Sequence, residues 1–172
     1  ACAVAAGLWL AGALRLSPTP LVHTAVRVAS VGYGLPGVMV AAGVLSMLAP
    51  LDAALYRGVG WLTGIELGFV LQGTLVALII AYLTRFIAVA LMPIEAGLAA
   101  IAPSLTESAR SLGATPAGAV ARVELPLLRG PVAAAATLVF VDVMKELPAT
   151  FLMRPLGFDT LAVDVWRRTS EG

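Results

Sequence analysis

The chain has 172 residues, 60% of them hydrophobic and 12% charged, with a mean hydropathy of +0.97. Soluble domains carry charge on about a quarter of their residues, so this composition excludes a water-facing globule. A formal net charge of +1 without a basic cluster gives no general attraction to nucleic acid. One cysteine, Cys2, excludes an internal disulfide framework and an all-cysteine metal cage.

A bilayer-spanning helix needs about 20 mostly apolar residues. Four stretches approach this: 1–16, 31–49, 65–85 and 131–149. The first is uncharged up to Arg15 and begins inside its apolar run, without Met. Together with the lack of a helix-ending signal at Gly172, this gives the expectation of a piece of a longer membrane protein, truncated at both ends. The second carries Pro36 near its start, and the third ends on Arg85, which can snorkel to the headgroups. The fourth continues from Pro131 through Asp142, Lys145 and Glu146. Lipid offers backbone groups no partner, so the runs should be helical, and their alanine-rich, alternation-poor pattern argues against an outer-membrane barrel. The expected fold is therefore all-α and integral to the membrane, with about four spans.

Basic residues in short loops set the orientation. Successive spans place Arg15, Arg27, Arg85, Arg110, Arg122 and Arg129 on one side and Arg57 on the other. The first side is expected to be cytoplasmic, although Arg154, Arg167 and Arg168 then fall outside.

The segment from about Pro93 to Gly130 is long for a connector between neighbouring helices. Ile94, Leu98, Ile101, Leu105 and Leu112 recur at helical spacing, and Pro103 divides that helix near Ala102. Ser104 with Glu107 three residues on has capping-box spacing, and Gly113 supplies a stop. Thr115-Pro116 predicts a fresh helix start, and Leu125-Pro126 predicts its end. Helix, glycine turn, short helix and proline stop make either an interfacial hairpin joining two spans or a rigid knob for docking a soluble partner.

The residues of this knob carry a resemblance. Glu107-Ser108-Ala109, three residues, Gly113, nine residues and Val123-Glu124-Leu125-Pro126 resemble the EAA loop of ABC importer permeases, whose pattern is E-A-A, three residues, G, nine residues, I-x-L-P. Ser108 stands for an alanine, Val123 for an isoleucine, and Val120 lies where a bulky aromatic is frequent. The stretches 145–166 and 27–45, the latter with a Tyr-x-x-Pro-Gly pattern, are similar to permeases of the ferric iron group and to relatives for thiamine, polyamines and phosphonates.

The resemblance implies a type I ABC importer transmembrane helix bundle in the inner membrane, with 93–130 as the cytoplasmic coupling-helix loop. It implies docking of an ATPase subunit by Glu107, Ala109, Gly113, Val123, Leu125 and Pro126. The implied partners are that ATPase subunit, a periplasmic binding protein, a second permease half (fused or separate) and the lipid bilayer. The implied activity is alternating access, most closely for ferric iron, with thiamine, polyamine or phosphonate as alternatives and no cofactor of its own.

The remaining features stay open from the residues alone. Asp142, Lys145 and Glu146 are either an interfacial ion pair steadying a helix end or part of the pathway or outer gate. Gly60, Gly64 and Gly68 permit a close helix approach. Gly34-Leu35-Pro36-Gly37 is a hinge or merely a tolerated first turn. His23 is expected at a surface or interface, Cys2 as a small lipid- or helix-facing residue, and Glu66 at an interface. A phosphate-cradling G-x-x-x-x-G-K-[ST] loop is absent from the sequence, so the expectation is a transport protein whose ATP is hydrolysed by another chain. An ion-coupled secondary transporter would show acids paired across two repeats, which the sequence lacks. A membrane scaffold whose loop only recruits a partner is the third reading.

Overall fold

The computed structural model describes residues 1–63 and 71–171, and every element assigned among them is helical. In chain order these are α1 (Cys2–Leu16), α2 (Pro20–Val31), a 3₁₀ turn (Gly32–Gly34), α3 (Gly37–Thr63), α4 (Leu75–Ala100) and α5 (Pro103–Ser111). There follow α6 (Pro116–Ala119), a π-helical turn (Val120–Glu124), α7 (Leu125–Leu127), α8 (Arg129–Lys145), α9 (Pro148–Met153) and α10 (Leu161–Ser170). Gly64, Glu66 and Gly68 lie outside the described residues.

Among the described residues, two helices are long and apolar enough to cross a bilayer, Gly37–Trp61 within α3 and Leu75–Ala100. A third crossing arises if Pro116–Leu127 and Arg129–Lys145, bent by 65° at their junction, count as one span. The 15 residues of α1 are apolar but fall short of the roughly 30 Å hydrocarbon core. The apolar stretches read from the sequence thus correspond to α1, α3, α4 and α8; α3 begins and ends later than 31–49, and α4 runs past 85 to Ala100, while residues 65–70 of the third stretch lie outside the described residues. Pro36 explains the later start of α3. It stands directly before the helix start, its carbonyl accepting from the Val40 N–H at 3.2 Å, so α3 begins only at Gly37; Pro50 farther on is accommodated within the helix.

Residues 15–30, expected as a loop, are mostly helical. Thr19 accepts a hydrogen bond from the Val22 N–H at 3.4 Å, and Pro20 occupies the first turn of α2.

The chain divides into two compact units. The first comprises Ala1–Gly34 and Phe86–Val141. Its interior holds Phe86, Leu91 and Ile94 of α4, all essentially fully buried. Gly7 brings α1 close to α4, where an added Cβ would stand 3.1 Å from that of Ala90. Gly97 similarly lies against the Pro131 ring at the start of α8.

The second unit comprises Leu35–Arg85 and Asp142–Gly172. Val40, Ala41, Val44 and Leu48 on α3 pack with Ala77, Leu78 and Ala81 on α4 and with Ala149 and Met153 on α9. The small residues recur at helical spacing and let the helices meet closely. Met39, Met47 and Ile79 on the same helices remain exposed, as lipid-facing positions should.

Candidate functional site

In the first unit, residues 103–127 form a bent elbow. Ala102 has extended backbone (φ −60°, ψ 130°), and Pro103 opens α5, so the break falls where the proline predicts. Ser104 does not cap: the N-cap is Ala102, without a side-chain hydrogen bond, and Ser104 already lies inside the helix. Pro103 is the reason, because its preference for the first helical turn starts α5 two residues too early for Ser104 to serve.

At the other end Gly113 has φ +91°, which side chains with a Cβ rarely adopt. The Ala114 N–H donates to the Ala109 carbonyl at 3.1 Å, and the Gly113 N–H to the Arg110 carbonyl at 2.9 Å, satisfying the carbonyls at the helix end. Thr115 then caps α6, its hydroxyl accepting from the Gly118 N–H at 3.1 Å, with Pro116 in the first turn. Both signals act as the sequence indicates.

The proline stop acts differently. Leu125 is helical (φ −59°, ψ −44°) despite preceding Pro126. The strain is taken up one turn earlier, where the Leu125 N–H reaches back to the Val120 carbonyl and opens the π-turn. Widening the ladder accommodates the missing proline N–H and the crowding of its ring against the preceding turn. The chain bends only after Leu127.

Among the expected docking residues, Glu107, Gly113, Leu125 and Pro126 are exposed, and Ala109 and Val123 half-buried. Glu107 borders an open hollow of about 480 Å³ together with Arg110, Ser111, Ala114 and Pro116. α5 packs against both α6 and the π-turn, which holds the two arms of the elbow together. Between Val123 and Leu125 lies Glu124, fully buried, its Oε1 accepting from Thr106 Oγ1 at 2.8 Å and pairing with Arg15 Nε at 3.3 Å. In the I-x-L-P pattern Glu124 occupies the unspecified position, to which the resemblance assigns no role. Its signal was the stripe Val120, Glu124, Leu128, which puts an acid at an inward position.

The three charged residues near the end of α8 separate in the second unit. Asp142 and Lys145 pair at 3.1 Å, with Lys145 mostly exposed. Glu146 is buried and instead meets Arg85, Nε to Oε2 at 3.4 Å, while its Oε1 accepts from the Ala149 N–H in the first turn of α9 at 3.2 Å. Arg85 therefore does not snorkel from a helix end. It lies inside α4, and the apolar run Phe86–Met92 that follows it is the reason the helix continues.

One turn along, the Tyr82 and Thr150 hydroxyls hydrogen-bond, and Thr150 donates to the Glu146 carbonyl at 2.6 Å. Gly37 lies beside this group: a Cβ there would collide with Arg85 Nη1 and Glu146 Oε1. Buried Asp52, also missed, accepts from the N–H groups of Leu71 (2.7 Å) and Gln72 (2.8 Å), tying α3 to the approach to α4. Beyond α9, Arg154 and Arg167 both pair with Asp159, and Arg168 pairs with Asp164 at 2.9 Å. Among the described residues no three His, Cys, Asp or Glu side chains gather as a metal centre.

Among the described residues, an apolar all-helical architecture with long spans and a capped elbow between them defines a polytopic membrane protein. Residues 3–170 match the family model "Binding-protein-dependent transport system inner membrane component", and the chain belongs to that family. Its place is the inner membrane, and the resemblance to ABC importer permeases near the ferric iron group is borne out.

The chain is 35% identical over 101 residues to the Fe(3+)-transport system permease protein FbpB 2 of Haemophilus influenzae, covering 59% of this chain and 20% of that protein. It is 33% identical over 132 residues to PhnV of Salmonella typhimurium, described as a 2-aminoethylphosphonate transport system permease protein, covering 74% of this chain and 50% of that one. PhnV of Salmonella choleraesuis matches to the same extent. The matched stretches thus span half or less of these relatives.

Proposed function

We propose that the chain is part of the permease of an ABC importer, and that residues 93–130 are the cytoplasmic loop receiving the stroke of a separate ATPase subunit. The observation that carries this reading is the elbow itself: two short helices joined through Gly113 at φ +91°, in a chain of this family. ATP binding closes two ATPase subunits, their closure moves the elbow, and the spans tilt between outward- and inward-facing states around a substrate delivered by a periplasmic binding protein. Glu107, beside its hollow, offers the polar anchor. Ala109 and Gly113 permit close approach, and Val123, Leu125 and Pro126 form the far arm. Asp142, Lys145 and Glu146 are proposed for the pathway or outer gate, Glu146 as a buried intramembrane acid held by Arg85 and Asp142 and Lys145 as a more exposed pair.

Ferric iron is the proposed substrate, supported by the FbpB 2 similarity. A phosphonate is the second reading, favoured by the longer match to PhnV. An uptake panel of ferric iron and 2-aminoethylphosphonate in cells expressing the complete permease with its partners decides between them.

Gly113→Asp tests the docking role: it should leave the protein expressed in the membrane while ATP hydrolysis no longer drives uptake. Normal uptake by this variant would remove the elbow from the coupling path. Co-purification of an ATP-hydrolysing subunit separates the proposal from a gradient-driven transporter and from a passive scaffold.

A further inference from the structure

Building on the reading of residues 93–130 as the ATPase-coupled loop, we propose that Glu124 is the positioning residue through which movement of that elbow reaches α1. One carboxylate oxygen joins three elements of the first unit. Glu124 closes the π-turn, and its Oε1 meets Thr106 in the middle of α5 and Arg15 in the last turn of α1. Arg15 is separated from Glu124 by 109 positions in sequence, so the contact is tertiary and not a by-product of local helix geometry.

The side chain is fully buried, and its second oxygen, Oε2, is buried without a hydrogen-bond partner. A carboxylate removed from water persists only where its pairing compensates the lost hydration. Here the compensation comes through Oε1 alone, from groups on two other helices. Apolar side chains of similar volume would hold the same elements together at least as stably. What the charged arrangement adds is register, because Glu124 is satisfied only when α1, α5 and the π-turn stand in one relative position.

The π-turn contributes to this. The widening enforced by Pro126 sits directly before Leu125 and sets the rotation at which Glu124 points inward beside the exposed arm of the elbow. A push on the exposed surface of α5 or α7 is therefore carried to Arg15, and with it to the end of α1.

The test uses the full-length permease in proteoliposomes with its ATPase subunit. With Cys2 replaced by serine, a spin label on Trp9→Cys, an exposed position of α1, reports the change in its surroundings between nucleotide-free and ATP–vanadate states. Two backgrounds are compared with wild type: Glu124→Gln, and the apolar replacement Arg15→Met/Glu124→Leu, which removes the ion pair without stranding a charge. Both are expected to keep the ATPase subunit bound and hydrolysing, and the double variant to keep its melting temperature. The label response should fall by roughly five-fold or more.

A full response in either folded variant overturns the proposal. Should Glu124→Gln fail to fold, the double variant decides alone. If no ATPase subunit binds even the wild-type protein, the coupling reading itself falls. That result differs from the one expected of a wrong assignment to Glu124, in which the subunit binds and α1 still responds.

Discussion

Gly37 has no side chain, and the structure shows what that omission accommodates. The Arg85 guanidinium and the Glu146 carboxylate pack against its bare backbone. Gly37→Ala forces a methyl group into a buried ion pair, so it should destabilise the protein by ~1–3 kcal/mol, the usual cost of overpacking. Gly43 lies in the same helix with open space around it, and Gly43→Ala should instead be neutral or stabilising by ~0.5–1 kcal/mol. Thermal unfolding of both variants in detergent makes the comparison, and equal melting temperatures would contradict the packing argument.

The two ion pairs near the end of α8 contrast in the same way. Glu146→Leu deprives partly buried Arg85 of this carboxylate and should cost about 3–5 kcal/mol. Lys145→Ala breaks an exposed pair and should cost less than about 1 kcal/mol. If the two variants melt alike, Glu146 is not the structural partner its geometry indicates.

Among the elements, the elbow was the most legible from sequence because its punctuation is chemical. Thr115-Pro116 and Gly113 act through backbone groups within a few residues, and local chemistry fixes them whatever the tertiary surroundings. The misread points depend on competition between neighbours. Ser104 loses the cap because Pro103 starts the helix first, and Pro126 does not end its helix because a π-turn absorbs the conflict.

That explanation is testable through Pro126→Ala. Restoring an N–H and removing the ring should let residues 120–125 close into an ordinary helical ladder. Amide protection there should rise by about 0.5–1.5 kcal/mol, the net contribution of one backbone hydrogen bond. Hydrogen exchange of the reconstituted protein measures it. Unchanged protection would mean that packing around buried Glu124, and not the proline, holds the turn open.

At the scale of the whole molecule, apolar runs identified the helical membrane class but ended the middle spans too early. Arg85 is the instructive residue. A charge after an apolar run marks a boundary only if no partner awaits it inside the protein, and Glu146, 61 positions later, is invisible to a window that slides along the chain. Arg15 was likewise counted as a loop charge although it pairs with Glu124. With Arg85 placed inside α4, the orientation rests on Arg15, Arg27, Arg110, Arg122 and Arg129 against Arg57 and the C-terminal Arg154, Arg167 and Arg168, which pair with Asp159 and Asp164. The rule counts basic residues near span ends, and the bias keeps its sign with its margin narrowed to five against four.

It predicts that the elbow faces the cytoplasm and the connection between α9 and α10 the opposite side. Leu112, 89% exposed at the elbow, and Leu156, fully exposed beyond α9, are suitable reporters once Cys2 is replaced by serine. A membrane-impermeant maleimide should label Leu156→Cys in intact spheroplasts and Leu112→Cys only in inside-out vesicles. The reverse pattern would invert the topology and leave the elbow out of reach of any cytoplasmic motor. Labelling of both from one side would require an odd number of crossings fewer or more between them than the orientation assumes.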